Sequence, residues 1–293
     1  MVEEVNFGMR RLAIVAYGLA WAALLGGSAL AQGQADKPEW AKAKIYNTVK
    51  LKLAQHKQVF SFTVNHLDVA AYCEKAKHYD WAFFDMQHST MWFSDVEKMI
   101  AACPYNGAIP FVRLPDAQEW HIQQATDIGA LGVIVPTVDD VERAREAAKW
   151  VRYPPVARRS LGQNQASKIW GPDYRNSIND NIMLVLMIET PKAVANAFDI
   201  VSVPGVDAIL VGNNDLSSFS GFGLESPQYQ DLLTKIHDAT LKAGKIFGCA
   251  NPLFAKANPL SSTTYLFQNG PSNDGYVPPP GSIQTTAGPP AKK

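Results

Sequence analysis

The feature of the sequence that most constrains its fold is a regular alternation of short apolar runs with stretches of helical periodicity. The runs are apolar throughout, so both faces of each predicted strand must be buried, as in a parallel sheet covered by helices on both sides. Eight such units favour a closed (β/α)₈ barrel of the α/β class over an open doubly wound sheet. The predicted strands are Val59–Val64, Trp81–Met86, Ala108–Arg113, Gly132–Val135, Ile182–Ile188, Asp207–Val211, Ile246–Ala250 and Tyr265–Gln268.

The segments between the runs begin near Asp, Ser, Thr or Pro, which are residues that favour helix starts. The predicted helices cover residues 68–77, 93–103, 117–129, 139–152, 190–201 and 227–244. Residues 156–180 form a long polar insert, which we predict to be a loop over the mouth of the barrel. Pro252 and Pro259 require any helix before the eighth strand to be short or broken.

Both ends of the chain differ in composition from the predicted barrel. Arg10 and Arg11, an apolar stretch and then Ala29 and Ala31 predict a signal peptide over residues 1–31, cleaved after Ala31. An uncleaved membrane anchor is the alternative. We predict that residues 32–58 form a segment with one surface helix that leads into the barrel. The barrel itself is predicted to span residues 59–275, and residues 276–293 are predicted to be a disordered tail rich in proline. The working domain is therefore predicted to be exported, to the periplasm or beyond, without stable membrane insertion after cleavage.

Charge and cysteine content exclude several classes of function. The chain carries 27 basic and 27 acidic residues and a net charge of zero, so it lacks the basic field that nucleic-acid binding needs. Cys73, Cys103 and Cys249 are odd in number and form no paired motif, which argues against a zinc site and against a disulfide framework. We predict that all three are buried apolar side chains.

Polar side chains stand where four predicted strands end. In a parallel barrel these ends meet on one face, where active sites are built. In the segment "FFDMQHS" the two phenylalanines are therefore predicted to lie in the barrel wall, and the polar residues after them at the mouth of the barrel. The rim residues are Asp85 and His88 after the second strand, Arg113 after the third, Glu189 after the fifth and Asp215 after the sixth.

Glu189 and Asp215 follow adjacent strands, and two carboxylates brought together are costly unless a cation lies between them. A hard divalent ion such as Mg²⁺ or Mn²⁺, with Co²⁺ as a further candidate, fits such an oxygen site. The alternative is that each acid caps the helix that follows it. Gly212 lets the backbone approach a ligand closely, and free N–H groups around Asp215 and Leu216 would bind a substrate carboxylate.

Two further rim residues suit proton transfer and charge stabilisation. Arg113 is placed to stabilise an oxygen that gains negative charge during reaction, and a salt bridge to a neighbouring rim acid is the alternative. Histidine is the residue type best suited to carry a proton near neutral pH, so His88 is predicted to be the proton carrier, with Asp85 beside it to orient the ring.

The motifs "FDMQHS", "VRLP", "RYPP", "IET" and "VGNNDLS" together resemble those of the HpcH/HpaI aldolases, over residues 59–270. The resemblance implies a (β/α)₈ barrel, a divalent metal, and reversible cleavage of a 4-hydroxy-2-oxo acid to pyruvate, or a related 2-oxo acid, and an aldehyde. A small-molecule 2-oxo acid is thus the expected partner.

The resemblance also implies roles for individual residues. Glu189 and Asp215 would bind the metal, Arg113 would hold the enolate oxygen, and His88 would move the proton with Asp85 beside it. In the family this histidine pairs with an aspartate, and Asp127 occupies the corresponding position in this sequence. Asp127 lies at the far end of its own barrel, so the pair would form between subunits of a homo-oligomer. The substrate would contact Gln87, Gly212, Asn214 and Leu216.

Four departures from the family pattern bear on the substrate and the assembly. Gln87 stands where the family usually has Glu, Met187 replaces a polar residue, and Asn213 replaces Pro. The closing helix that family members pack against a neighbour is also missing. Two other functions therefore stay open: an exported, non-catalytic protein that binds a small carboxylate, and a related lyase or hydratase with a different substrate.

Overall fold

The computed structural model describes residues 37–162, 165–250, 264–268 and 270–277. Within them eight strands form one parallel sheet that curls until β1 pairs with both β2 and β8 in a closed order. This confirms the α/β class and the parallel sheet. The strands are β1 (Val59–Val64), β2 (Trp81–Asp85), β3 (Ile109–Arg113), β4 (Gly132–Val135), β5 (Met183–Ile188), β6 (Ala208–Val211), β7 (Ile246–Cys249) and β8 (Thr264–Phe267).

The pairing of β8 is irregular. Within the described residues this strand meets β1 through two residue pairs, Val59 with Leu266 and Phe60 with Phe267, and its pairing with β7 shifts register at Phe247 and Gly248. The predicted signal peptide, the prolines between β7 and β8, and the tail beyond residue 277 lie outside the described residues. No helix in the described part of the chain has the length and apolar character needed to cross a membrane.

Helices follow most strands and begin where the capping residues predict. Asp68, Asp140, Thr190 and Ser226 each accept a hydrogen bond from a backbone N–H in the first turn of the helix that follows. The predicted helix 190–201 is two helices that meet at Asn196. The helices are α1 (Glu39–Lys42), α2 (Thr48–Ala54), α3 (Val69–Lys75), α4 (Phe93–Ala102), α5 (Glu119–Asp127), α6 (Val141–Val151), α7 (Gln165–Trp170), α8 (Tyr174–Asn181), α9 (Pro191–Ala195), α10 (Ala197–Val201), α11 (Asn213–Ser220) and α12 (Pro227–Lys242).

The aromatic residues of β2 pack on both sides of the barrel wall. Phe83 lies 5.9 Å from Trp81, ring centroid to ring centroid. Phe84, on the opposite face of the strand, lies 5.1 Å from Tyr72 of α3. All four side chains are buried, so the apolar run that precedes Asp85 fixes β2 between the interior and the helical layer.

The lead-in to the barrel differs from its prediction. A single surface helix was expected, but the chain forms α1 and α2 with a break between them. Asn47 sits in this break, is fully buried, and donates its amide to the carbonyl oxygens of Asn181 and Leu131 while capping α2. Its amide needs these partners once buried, and they anchor α2 across the N-terminal end of the barrel.

The polar insert lies at the opposite end of the barrel from the one predicted. The Trp170 indole donates to the carbonyl of Gly129, and the Tyr174 hydroxyl donates to that of Thr126, both just before β4. The insert follows α6, which has already returned the chain to the N-terminal ends of the strands. A segment between a helix and the next strand of a barrel must lie at that end.

The prediction about the cysteines is wrong for two of the three. Cys73 on α3 and Cys103 at the end of α4 form a disulfide, with their Cα atoms 5.8 Å apart. The two helices follow consecutive strands and pack as neighbours, which brings residues 30 positions apart into contact. Cys249 is buried, as predicted, and is not part of a disulfide.

Candidate active site

Four strands deliver polar side chains to the C-terminal face of the barrel, as the sequence predicts. Asp85 and Arg113 are the last residues of β2 and β3. Glu189 directly follows β5, and Asp215 lies in the first turn of α11, after β6. The C-terminal ends of parallel strands form one rim, so these residues share a single site.

Glu189 is the most unusual of these residues because its carboxylate is buried, with 1% of the residue exposed. Its Oε1 accepts hydrogen bonds from the backbone N–H of Thr137 at 2.5 Å and from the Thr137 hydroxyl at 3.0 Å. Its Oε2 is buried and has no hydrogen-bond partner among the described residues. One oxygen of a buried carboxylate is thus left without compensation, which is costly in a protein interior.

The surroundings of Glu189 raise the pKa of its carboxyl group above the ordinary value. Burial raises this pKa, the hydrogen bonds from Thr137 oppose the rise, the charge of Asp215 raises it further and that of Arg113 lowers it. Asp215 is half-buried, and its negative charge is one of the causes that raise the pKa of Glu189. Whether the two carboxylates bind one cation, as the sequence predicts, stays a prediction.

Gly212 makes room for the Glu189 carboxylate. A Cβ atom at this position would lie 1.9 Å from Glu189 Oε2, well inside any tolerable contact. The sequence predicts that this glycine admits a ligand, and in the structure it first admits the side chain of Glu189.

These residues fit a divalent cation. A buried carboxylate oxygen without a partner, beside a second carboxylate, forms a negative oxygen site that a hard metal ion stabilises. In the described part of the chain no group of three or more His, Cys, Asp or Glu residues is placed to hold a metal. Glu189 and Asp215 would be the protein ligands of such an ion, and water and substrate oxygens would supply the remaining ones.

Arg113 is held rigidly by Asp85. The two residues face each other in the register of β2 and β3, and the guanidinium donates to both carboxylate oxygens, from Nε at 2.9 Å and from Nη2 at 2.5 Å. The Arg113 guanidinium also lies over the Phe83 ring, 5.1 Å from its centroid. Nη1 lies 4.0 Å from the sulfur of Met187. The salt bridge that the sequence left as an alternative is thus present, and it fixes the orientation of the cation.

Asp85 does not orient the His88 ring, which corrects the predicted role of this residue. Its Oδ1 accepts the backbone N–H groups of Gln87 and His88, each at 3.1 Å, and both of its oxygens bind Arg113. The His88 side chain is exposed. The Gln87 side chain is half-buried, and its Oε1 has no partner within the described residues. Asp85 therefore shapes the loop and holds Arg113.

Asp127 ends α5 and lies away from His88 of the same chain. One of its oxygens accepts a hydrogen bond from Nη2 of Arg159 at 2.8 Å and the other from Nε2 of Gln123 at 2.7 Å. The Arg159 side chain is fully buried. As the sequence predicts, the fold of one chain keeps Asp127 and His88 on opposite ends of the barrel.

The N-terminus of α11 corrects one substrate contact. Leu216 is buried, and its N–H donates to the carbonyl of Gly212 at 2.9 Å, closing the first turn of the helix. It is therefore not free to bind a carboxylate. The residue at the N-cap, Gly212, has no side-chain acceptor for the earlier N–H groups. The positive end of the helix therefore faces the rim near Asn214, which is exposed, and Asp215, which is half-buried.

Sequence reasoning missed Thr137. It lies two residues after β4, at the same rim as the predicted residues, so the rule that located Glu189 applies to it as well. Its hydroxyl is an ordinary loop feature in the sequence, and its role becomes visible only when Glu189 is found against it.

Comparisons with known proteins place the chain in a family. Residues 62–260 match the family described as HpcH/HpaI aldolase/citrate lyase. The 2-dehydro-3,6-dideoxy-6-sulfogluconate aldolase of Pseudomonas putida is 35% identical over 170 residues, which cover 57% of this chain and 66% of that protein. A hydroxypyruvate/pyruvate aldolase of Rhizorhabdus wittichii is 32% identical over 184 residues, 61% of this chain and 73% of the relative.

A solved structure supports the same placement. The crystal structure of an HpcH/HpaI aldolase from Desulfitobacterium hafniense matches with a TM-score of 0.66 and 28% identity, and it covers 75% of this chain and 89% of that one. The match to the Pseudomonas putida aldolase, in contrast, spans just under two thirds of that protein.

Proposed function

The chain belongs to the HpcH/HpaI aldolase/citrate lyase family, and from this premise we propose that it is a divalent-metal-dependent carbon–carbon lyase. The proposed reaction is the reversible cleavage of a 4-hydroxy-2-oxo acid to pyruvate, or a related 2-oxo acid, and an aldehyde. The observation that carries the proposal is the buried Oε2 of Glu189, which has no hydrogen-bond partner among the described residues and whose carboxylate feels the charge of Asp215. The relatives that act as aldolases support the reaction class.

Glu189 and Asp215 would hold Mg²⁺ or Mn²⁺, with Co²⁺ as a further candidate. When bound, the ion would act as a Lewis acid toward the carboxylate and keto oxygens of the substrate. Arg113, fixed by Asp85, places a rigid positive charge where negative charge develops on the keto oxygen during cleavage. A pre-oriented guanidinium needs no reorganisation at that moment, so the Asp85 salt bridge supports the reaction indirectly.

Proton transfer falls to His88 in this proposal. The exposed ring at the rim takes the proton of the substrate 4-hydroxyl as the carbon–carbon bond breaks. Asp127 of a second copy would orient that ring, because Asp127 of the same chain lies at the other end of the barrel. A homo-oligomer is therefore part of the proposal.

We also propose that the protein works outside the cytoplasm. The disulfide between Cys73 and Cys103 supports this, since such bonds persist in oxidising compartments such as the periplasm. Sequencing the N-terminus of the protein recovered from the periplasm tests cleavage after Ala31.

The central experiment measures pyruvate release from a panel of 4-hydroxy-2-oxo acids with Mg²⁺ or Mn²⁺, and from oxaloacetate, whose decarboxylation passes through the same enolate. The substitutions Glu189→Gln and Asp215→Asn remove each charge at nearly constant volume. We expect either to lower activity by at least about a hundredfold, since several kcal/mol of charge stabilisation depend on the ion. Asp180→Asn is the matched control, because Asp180 lies in α8 just before β5, at the N-terminal end of the barrel, and its carboxylate forms an exposed ion pair with Lys44.

The outcomes separate the candidate functions. Release that does not require a metal, or that survives both substitutions, contradicts the lyase proposal. Metal binding that is lost in both variants while no substrate turns over supports the non-catalytic carboxylate-binding protein.

A further inference from the structure

The loop between β4 and α6 contains a residue with an uncommon backbone conformation. Thr137 has a φ of +52°, in the left-handed region that β-branched residues avoid. Such strain persists only where the surrounding structure holds it in place. In Thr137 this conformation directs both the backbone N–H and the hydroxyl to the same atom, Oε1 of Glu189.

Neighbouring residues hold the strained loop against β5 and α9. The N–H of Val138 donates to the carbonyl of Met187 at 3.2 Å. The Thr190 hydroxyl donates to the carboxylate of Asp139 at 2.5 Å, and the amide of Asn196 donates to the Asp139 carbonyl at 3.0 Å. These bonds flank Thr137 on its C-terminal side, so its donors cannot easily turn away from Glu189.

Resting on the function proposed above, we propose that Thr137 is a positioning residue that reserves one oxygen of Glu189 for the cation. Both donors of Thr137 occupy Oε1. Oε2, which faces Gly212 and has no partner in the described residues, is the oxygen that remains. Glu189 then contributes a single oxygen ligand.

A single available oxygen selects among cations. Ca²⁺ takes six to eight oxygen ligands and commonly binds carboxylates through both oxygens, whereas Mg²⁺ requires six ligands in a small octahedron. Occupying Oε1 therefore disfavours Ca²⁺ relative to Mg²⁺ and Mn²⁺. This selectivity is the property that Thr137 adds to the site.

Three substitutions vary the hydroxyl of Thr137 and leave its backbone N–H in place. Thr137→Ser keeps both the hydroxyl and the N–H. Thr137→Val keeps the shape of the side chain and removes the hydroxyl. Thr137→Gly also removes the hydroxyl but adopts a positive φ without strain, so it retains the N–H bond.

The test is calorimetric titration of the purified full chain and the three variants with MgCl₂, MnCl₂ and CaCl₂. We expect Thr137→Ser to bind Mg²⁺ within about twofold of the wild type, and Thr137→Val to bind it about tenfold more weakly because a hydrogen bond to a charged oxygen is lost. The Mg²⁺ to Ca²⁺ affinity ratio should fall in the valine variant, with the glycine variant between. Thermal unfolding in EDTA establishes that each variant is folded.

Each result decides between the two proposals. A wild type that binds neither Mg²⁺ nor Mn²⁺ overturns the proposed function. A wild type that binds Mg²⁺, with a valine variant that matches it in affinity and in the Mg²⁺ to Ca²⁺ ratio, overturns the role of Thr137 and leaves the function standing. Should the valine variant not fold, the glycine variant is judged by the same ratio.

Discussion

Thr137 and Gly212 confine the carboxylate of Glu189 from opposite sides. Thr137 donates two hydrogen bonds to Oε1, and Gly212 leaves the space that Oε2 fills. Neither residue is acidic or basic, yet together they set the direction in which a buried negative charge points. Arg113 is fixed in a similar way by Asp85, whose oxygens bind the guanidinium before any substrate arrives.

The role of Gly212 leads to a prediction at the scale of a single methyl group. Gly212→Ala should displace Glu189, because the new Cβ would lie 1.9 Å from Oε2. We expect a loss of about 1–3 kcal/mol in the free energy of unfolding, as for other overpacked sites, together with loss of Mg²⁺ binding. Urea denaturation and calorimetric titration measure the two effects.

Gly223→Ala is the matched control for this experiment. Its added Cβ would meet no atom within 4 Å, so stability and Mg²⁺ affinity should stay close to those of the wild type. If Gly212→Ala bound Mg²⁺ as well as this control does, Glu189 Oε2 would not be the ligand.

At the scale of elements, the chain that follows β8 is fastened to the N-terminal end of the barrel through His78. The Tyr276 ring stacks on the His78 ring at 4.0 Å between centroids, with the planes 1° apart. Nδ1 of His78 lies 2.7 Å from the Asp274 carboxylate, and the N–H of Asn273 donates to the His78 carbonyl at 2.8 Å. The sequence predicts that a disordered tail begins at residue 276. In the structure Tyr276 is still packed against the barrel.

This attachment should depend on pH. The hydrogen bond to Asp274 raises the pKa of His78 above its ordinary value of 6.5, partial burial opposes the rise, and Glu74, 3.5 Å away, adds to it. The same bond lowers the pKa of Asp274 below 3.8. The histidine contribution is complete below pH 6.5 and is lost as the pH rises through the raised pKa. The aspartate contribution is present above pH 3.8 and is lost as the pH falls through the lowered pKa.

Hydrogen–deuterium exchange of the peptide covering residues 270–277 measures this dependence. We expect protection, corrected for intrinsic exchange, to be greatest between about pH 4 and 6.5 and to decrease toward pH 8.5. His78→Gln should remove the decrease, because it retains a hydrogen-bonding side chain that does not titrate. Protection that stays constant from pH 6 to pH 8.5 in the wild type would show that the His78 charge plays no part.

For the whole molecule, sequence patterns predicted what is local and failed where distant segments meet. The apolar runs gave β1 and β4 their observed bounds, since burial on both faces leaves a continuous signal. The pairing of Cys73 with Cys103, and the end of the barrel on which the insert lies, depend on which helices become neighbours. The local sequence pattern does not indicate which helices become neighbours.

The candidate site was also predicted only in its local features. Because the C-terminal ends of parallel strands share one face, the sequence placed Glu189, Asp215, Arg113 and Asp85 on that face. It left a salt bridge between Arg113 and a rim acid as an alternative, but it did not identify Asp85 as the partner, because that choice follows from the register of β2 against β3. The conformation of Thr137 was also unpredictable, since residue type argues against a positive φ there.

The largest-scale prediction concerns whether one chain is enough for catalysis. Asp127 at the end of α5 and His88 at the rim stand on opposite ends of the barrel, so a dyad of these residues requires two chains. His88→Ala and Asp127→Asn should each reduce pyruvate release strongly. The asparagine is chosen because it still offers oxygen and amide groups to Arg159 and Gln123, which bind Asp127 in the wild type.

Coexpression of the two variants should restore activity. In a two-fold symmetric dimer half of the molecules would be hybrids, and in each hybrid one site has both wild-type residues while the other has neither. Activity should therefore recover to roughly a quarter of the wild-type value. Coexpression of His88→Ala with Arg113→Ala is the control, because both residues belong to the same rim and no hybrid contains an intact site. Differently tagged chains, purified on both tags in turn, isolate the hybrids. Inactive hybrids of the first pair would mean that His88 acts without Asp127 of a neighbour.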